Sequence, residues 1–87
     1  MDKPVTILYF AWLRERIGSA CEDVALPEGV RTVSALVDFL SARSPGHEAA
    51  FRNRRSVRAA VNQEFADPSD AVRPGDEVAF FPPVTGG

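Results

Sequence analysis

The chain has 87 residues and a formal net charge of −2, with 45% hydrophobic residues, 25% charged residues and one cysteine. A chain of this length forms one compact domain with a thin core. Its charge excludes a global field that would attract nucleic acid or anionic lipid. No apolar run approaches the roughly 20 residues that span a bilayer. We therefore expect a cytoplasmic protein that binds neither nucleic acid nor a membrane.

Neither the cysteine nor the histidine has the neighbours of a metal site. Because Cys21 is the only cysteine, an internal disulfide or a cysteine-based zinc site is excluded. Acidic residues follow it, which favours a plain, half-buried thiol over a reactive one. His47 has no aspartate or cysteine at ligand spacing, so we expect a surface residue. No bound metal is predicted.

The first part of the chain predicts two strands. The apolar run from Val5 to Phe10 suits a strand with neighbours on both sides and cover on at least one face. A polar stretch from Arg14 to Ser19 ends in turn residues. Glu22 to Leu26 is the second predicted strand, which Pro27 ends.

A change of hydrophobic period then predicts the main helix, from Val33 to Arg43. Thr32 can cap its first turn, and Pro45-Gly46 is expected to close it. Its buried stripe would consist of the apolar residues at i, i+3, i+4 and i+7, which are Val33, Leu36, Val37 and Leu40.

After this helix the sequence predicts further strands. Val57 to Val61 forms one, and a turn at residues 62–64 leads into Phe65-Ala66. The turn residues Arg73 to Asp76 precede the last strand, Glu77 to Phe81, which Pro82-Pro83 ends.

A basic segment contains Arg52, Arg54, Arg55 and Arg58. Such a run is usually a solvated loop, although it could also meet an acidic partner or a phosphate. Nucleic-acid binding has little support, because no aromatic residues interleave with the arginines.

This order predicts an α+β fold of the β-grasp (ubiquitin-like) type. We expect a twisted mixed sheet of about four to five strands with one main helix on one face. A final strand lying parallel beside the first would make both strands central, which fits their apolar character. Residues 1–81 would form the domain, and residues 82–87 an extended C-terminal tail.

Each part of the tail has a physical interpretation. Pro82-Pro83 favours a stiff, extended stub, and the β-branched Val84 and Thr85 also favour extended backbone. Gly86-Gly87 could enter a slot as narrow as a backbone. From Pro82 the tail would reach about 20 Å. The alternative is a frayed terminus without a role.

The carboxylate of Gly87 is the candidate reactive group. A carboxylate is ionised at neutral pH and is a poor electrophile. Activation by ATP to an acyl-adenylate would solve this. Sulfide could then displace AMP and leave a thiocarboxylate, whereas attack by a lysine would be ubiquitin chemistry.

The chain resembles the small, sulfur-carrying subunit of molybdopterin synthase. The matching blocks are Leu8–Glu15, Ala35–Leu40, Ala60–Glu64 and, most specifically, Gly75–Gly87. The family often has an aliphatic residue in place of Phe81 and a serine in place of Thr85, and both changes are mild.

The resemblance implies a non-catalytic sulfur-donor subunit that binds no cofactor itself. A ubiquitin-activating-type adenylyltransferase would use ATP to adenylate Gly87, and a sulfur donor would convert it to a thiocarboxylate. The tail residues Pro83, Val84, Thr85 and Gly86 would then insert into the large synthase subunit, which holds cyclic pyranopterin monophosphate. The family assembles as a heterotetramer.

Strand alternation suggests where partners would dock. If the last strand is oriented as in ubiquitin, Val78 and Phe80 face the core, while Ala79 and Phe81 face outward beside the tail. Ala79 and an exposed Phe81 would form a docking patch. The alternative is that the chain's own loops cover Phe81.

Three other functions remain open at this stage. The chain could carry sulfur for thiazole or cysteine synthesis, although its length and its Phe-Pro-Pro-Val-Thr-Gly-Gly end argue against the thiazole type. It could be a ubiquitin-like modifier conjugated to lysines, or a passive interaction domain.

Overall fold

The computed structural model describes residues 3–83, which form five strands, three α-helices and one 3₁₀ turn. In chain order these are β1 (Val5–Tyr9), α1 (Trp12–Ile17), β2 (Cys21–Val24), α2 (Val33–Ser41), α3 (Pro45–Phe51), the 3₁₀ turn (Arg54–Ser56), β3 (Arg58–Val61), β4 (Glu64–Ala66) and β5 (Glu77–Phe81). Among the described residues, none of the helices has the length and apolar character needed to cross a membrane.

The strands form one mixed sheet in the order β2-β1-β5-β3-β4. β5 runs parallel to β1 and antiparallel to β3, so the first and last strands lie at the centre. The β-grasp prediction is confirmed, and the predicted bounds of β5 are those observed.

The core lies between one face of the sheet and the helices. Alternate residues of β1 and β5 point into it, and α2 contributes the predicted stripe. Phe80 stacks beside Tyr9, and the ring of Phe51 from α3 meets Phe80 edge-on with 5.0 Å between centroids. The buried hydrophobic residues among residues 3–83 are Val5, Ile7, Tyr9, Leu13, Val24, Val33, Leu36, Val37, Leu40, Ala50, Phe51, Ala59, Val72, Val78 and Phe80.

The main helix α2 begins as predicted and ends slightly earlier. The hydroxyl of Thr32 accepts a hydrogen bond from the Ala35 backbone N–H at 3.1 Å, which caps the first turn. At the other end, the N–H of Arg43 bonds to the Leu40 carbonyl in a tighter i to i+3 pattern, so the regular helix stops at Ser41.

Two further helices were not predicted. The polar stretch around Arg14 lies in α1, where Leu13 is buried and Gly18 ends the helix with φ +88°. Pro45-Gly46 does not merely end α2. These two residues begin α3, because Pro45 occupies its first turn and the Ser44 side chain caps it. The expectation of a simple helix stop at this point is wrong.

His47 and Cys21 also differ from expectation. His47 is buried, not on the surface, because its imidazole bonds at both ends: Nδ1 lies 2.7 Å from Ser44 Oγ and Nε2 lies 2.7 Å from Glu22 Oε2. Cys21 is exposed, not half-buried, because it lies on the outward side of the edge strand β2.

The histidine belongs to a polar network that ties α3 to the sheet. The hydroxyl of Tyr9 donates to Glu22 Oε2 at 2.7 Å, and Arg43 lies 3.7 Å from Glu22 Oε1. Burial of Glu22 alone would raise its pKa, but the hydrogen bonds from His47 and Tyr9 and the charges of His47 and Arg43 outweigh it and hold the pKa below its usual value. Burial of the Tyr9 hydroxyl raises its pKa, and the hydrogen bond to Glu22 and the negative charge of Glu22 raise it further.

A close approach between α1 and α3 makes a specific prediction for Gly46. A Cβ at this position would lie 2.5 Å from the carbonyl oxygen of Arg16. We expect Gly46→Ala to lower the free energy of unfolding by about 1–3 kcal/mol, because backbone has to move. Urea denaturation measures this. Glu48→Ala, on the exposed side of the same helix, is the control and should lose much less free energy of unfolding. Equal losses in the two variants would contradict the close approach of α1 and α3 at Gly46.

The network also predicts a pH dependence. The folded state holds the pKa of Glu22 below its ordinary value of 4.5. The Glu22 carboxylate therefore stabilises the fold fully above pH 4.5, and this stabilisation is lost as the pH falls through the lower pKa of the folded state. In urea denaturation, wild-type protein should lose more stability below pH 4.5 than Glu22→Gln does. Glu48→Gln removes an exposed carboxylate whose pKa is also lowered, and it should behave nearly as wild type.

Candidate functional site

The base of the tail is fixed at the centre of the sheet. Along its length β5 pairs with β1 on one side and β3 on the other, and Phe81 lies opposite Arg58. Pro82 has no N–H to continue the ladder, so the strand ends there. Pro82 and Pro83 are half-buried and belong to no regular element.

The predicted reactive residue Gly87 and three of the four predicted inserting residues, Val84, Thr85 and Gly86, lie outside the described residues. Their roles remain predictions, as does the role of Pro83. The structure does show the position of Pro83, the described residue that precedes them in sequence.

The face of the sheet opposite the helices has an apolar row that crosses every strand. Strand register places Cys21 beside Leu8, Leu8 beside Ala79, Ala79 beside Ala60, and Ala60 beside Phe65. We call the apolar residues of this surface the outer sheet face; they are Leu8, Phe10, Ala60, Phe65, Ala79 and Phe81. Phe65 is 84% exposed and Phe10 is 48% exposed, which is unusual for side chains of this size.

Ala79 and Phe81 point outward, as expected from strand alternation, while Val78 and Phe80 are buried. Phe81 is half-buried, not fully exposed. Its ring lies against Phe65 of β4, with 6.0 Å between centroids, so a strand and not a loop gives it partial cover. The role of Ala79 and Phe81 in docking stays a prediction.

Sequence reasoning missed the more exposed aromatic residues, Phe65 and Phe10. Phe65 reaches the outer sheet face because residues 62 and 63 form a two-residue turn in which both have positive φ, at 51° and 70°. This is the backbone of a type I′ hairpin, which fixes the pairing of the two strands. An asparagine at the first turn position was the available signal, and with it Phe65 could have been placed across from Ala60.

The side chains at the tail base suit docking better than catalysis. Arg58 and the apolar surface of Ala79 and Phe81 surround the end of β5, and they supply charge and contact area. None of the three is a general acid or base near neutral pH.

Comparison with known proteins gives one family and consistent relatives. Residues 7–87 match the ThiS family. The molybdopterin synthase sulfur carrier subunit of Escherichia coli is 40% identical over 83 residues, which cover 95% of this chain and 99% of that protein. The subunit of the same name from Homo sapiens is 35% identical over 86 residues, covering 95% of this chain and 93% of that protein.

Solved structures agree with the fold. A protein of Pyrococcus furiosus, provisionally named molybdopterin converting factor subunit 1, is similar with a TM-score of 0.78 and 32% identity over 95% of this chain and all of that one. The small archaeal modifier protein 1 of Haloferax volcanii has a TM-score of 0.73 and 30% identity, covering 94% of this chain and 99% of that one.

Proposed function

The chain belongs to the ThiS family and to the molybdopterin synthase sulfur carrier subunits, and from this premise we propose that Gly87 carries sulfur as a terminal thiocarboxylate. The resemblance predicted from the sequence is thereby confirmed at the level of the family. The chemistry at Gly87, the partners and the site residues are the proposal.

One observation carries the proposal. β5 ends at Phe81 in the centre of the sheet, and the family match continues from there through residue 87. A rigid body thus precedes a segment of two prolines, two β-branched residues and two glycines. Such a segment suits delivery of its end into a narrow site.

The proposed chemistry begins with activation. The Gly87 carboxylate attacks the α-phosphorus of ATP, which forms an acyl-adenylate and releases pyrophosphate. Sulfur from a donor, at the oxidation level of sulfide, then attacks the acyl carbon and displaces AMP, leaving a thiocarboxylate. Transfer of that sulfur to cyclic pyranopterin monophosphate, with water as the source of oxygen, regenerates the carboxylate.

This scheme assigns the catalytic groups to other proteins. A ubiquitin-activating-type adenylyltransferase would bind the ATP, and the large synthase subunit would bind the pterin and receive the tail. We place this reaction in the cytoplasm and expect a heterotetramer of two small and two large subunits. The present chain would supply the reagent and the surface that positions it.

The outer sheet face would be the surface that contacts these proteins. Phe81 and Ala79 lie at the tail base, and Phe65 and Phe10 enlarge the apolar area around them. Aromatic residues that are exposed in a free subunit commonly become the buried anchors of an interface.

A second candidate function is protein modification. The similar structure from Haloferax volcanii is named a small archaeal modifier protein, and the same activated Gly87 could be attacked by a lysine amine. The two functions differ in the product. A carrier returns as a free chain, whereas a modifier remains attached to its target.

Mass spectrometry of the full chain isolated from cells tests both functions. A carrier should show a fraction heavier by about 16 Da, from exchange of one oxygen for sulfur. Deleting Gly87 should remove that fraction and the sulfur transfer, while circular dichroism stays unchanged because every strand of the described sheet ends at or before Phe81. Full sulfur transfer by the truncated chain would contradict the proposal, and lysine conjugates without the heavier fraction would favour the modifier.

The docking surface is tested by Phe65→Ala. Because Phe65 is 84% exposed, its truncation should change the free energy of unfolding by no more than about 0.5 kcal/mol. Binding to the large synthase subunit, measured by calorimetry, should weaken about tenfold. Phe39→Ala, on α2 across the sheet, is the control and should leave affinity unchanged. Unchanged affinity in Phe65→Ala would remove the outer sheet face from the interface.

A further inference from the structure

A strongly basic segment remains outside the function proposed so far. Residues 52–58 contain four arginines and no acidic residue, and we call Arg52, Arg54, Arg55 and Arg58 the arginine cluster. The whole chain has a formal charge of −2. The cluster contributes +4, so the rest of the chain carries −6. The charge of this protein is therefore unevenly distributed.

Internal ion pairs account for only half of the cluster. Arg52 pairs with Glu48 at 2.7 Å, and Arg54 pairs with Asp38 at 2.6 Å. Arg55 and Arg58 have no carboxylate within 4.0 Å among residues 3–83. Instead, Arg58 Nη1 donates to the backbone carbonyl of Arg55 at 3.4 Å, which keeps the two charges together. Both residues are exposed.

The cluster lies at the tail end of the molecule. Arg58 is the first residue of β3 and stands opposite Phe81, the last residue of β5. Through this pair the cluster is continuous with the outer sheet face. The 3₁₀ turn that carries Arg54 and Arg55 directly precedes β3, so the positive charge is held beside the end of β5.

A cleft extends from the cluster toward the core. Arg54 and Arg58 line it together with apolar residues that include Val37 and Val57, and its volume is about 580 Å³. One carboxylate, that of Asp67, also lines this cleft. A charged rim around an apolar floor is the surface expected where an acidic protein segment with apolar side chains makes contact.

We propose that the arginine cluster docks against an acidic surface of the protein that receives the tail, and that its charge guides the tail end of this chain toward that protein. This inference rests on the proposed function and adds the chemistry of the partner's surface. Complementary charge around an interface mainly raises the association rate. The four exposed arginines, two of which form no ion pair among residues 3–83, are spread over seven residues and match a broad acidic surface better than a single bound anion.

Stopped-flow association of this chain with the large synthase subunit tests the inference. The variant is Arg55→Gln with Arg58→Gln, which removes two charges and retains most of each side chain's length. The matched control is Arg31→Gln with Arg73→Gln. Those two arginines are exposed and lie near the start of β5, at the opposite end of the sheet.

At about 30 mM NaCl the Arg55/Arg58 double variant should associate about tenfold more slowly than wild type, and the Arg31/Arg73 double variant should be nearly unaffected. At about 500 mM NaCl the difference should disappear, because salt screens exposed charges. Replacing the same two arginines by lysine should restore most of the rate, since the charge is retained.

The possible failures are distinguishable. If wild-type protein does not associate with the large subunit, the proposed function fails and this inference fails with it. If wild type associates and both double variants slow it equally, or neither does, the proposed function stands and this inference is wrong. A loss that lysine does not restore would also overturn it, because charge would then not be the cause.

Discussion

The pairing of β5 between β1 and β3 is the constraint on which the rest of the molecule depends. A parallel strand at the centre of a sheet needs apolar residues on its inner face and hydrogen bonds on both edges, and Val78 and Phe80 meet the first need completely. Because the strand is held on both sides, the chain beyond Phe81 starts from a fixed position and direction. The sheet therefore fixes the end of β5, the strand from which residues 82–87 continue the sequence.

A second level of organisation comes from polar groups under α3. His47 and Tyr9 each form a hydrogen bond with the carboxylate of Glu22. These bonds hold α3, β1 and β2 together and give the polar side chains partners inside a small core. The helices cover the inner face of the five-stranded sheet, and no helix of residues 3–83 covers the outer sheet face.

The sequence predicted the fold better than it predicted side-chain environments. Strong periodicity identified α2, and the bounds of β5 followed from its apolar run and the prolines after it. α3 was missed because Pro45 was interpreted as a stop, although Ser44 before it is a cap. His47 was misplaced because its partner Glu22 is 25 residues away and no local pattern reveals that contact. At the site, Ala79 and Phe81 were found by alternation, but Phe65 needed the pairing register.

The exposure of Phe65 and Phe10 has a consequence for the cell that makes this protein. Exposed aromatic side chains increase the tendency of a protein to self-associate as its concentration rises, and a complex that covers them removes this tendency. Copies made in excess of the large subunit would bring these rings together and self-associate. Balanced synthesis of the two subunits would then limit self-association, a demand that comes from two phenylalanines and not from the turnover of sulfur.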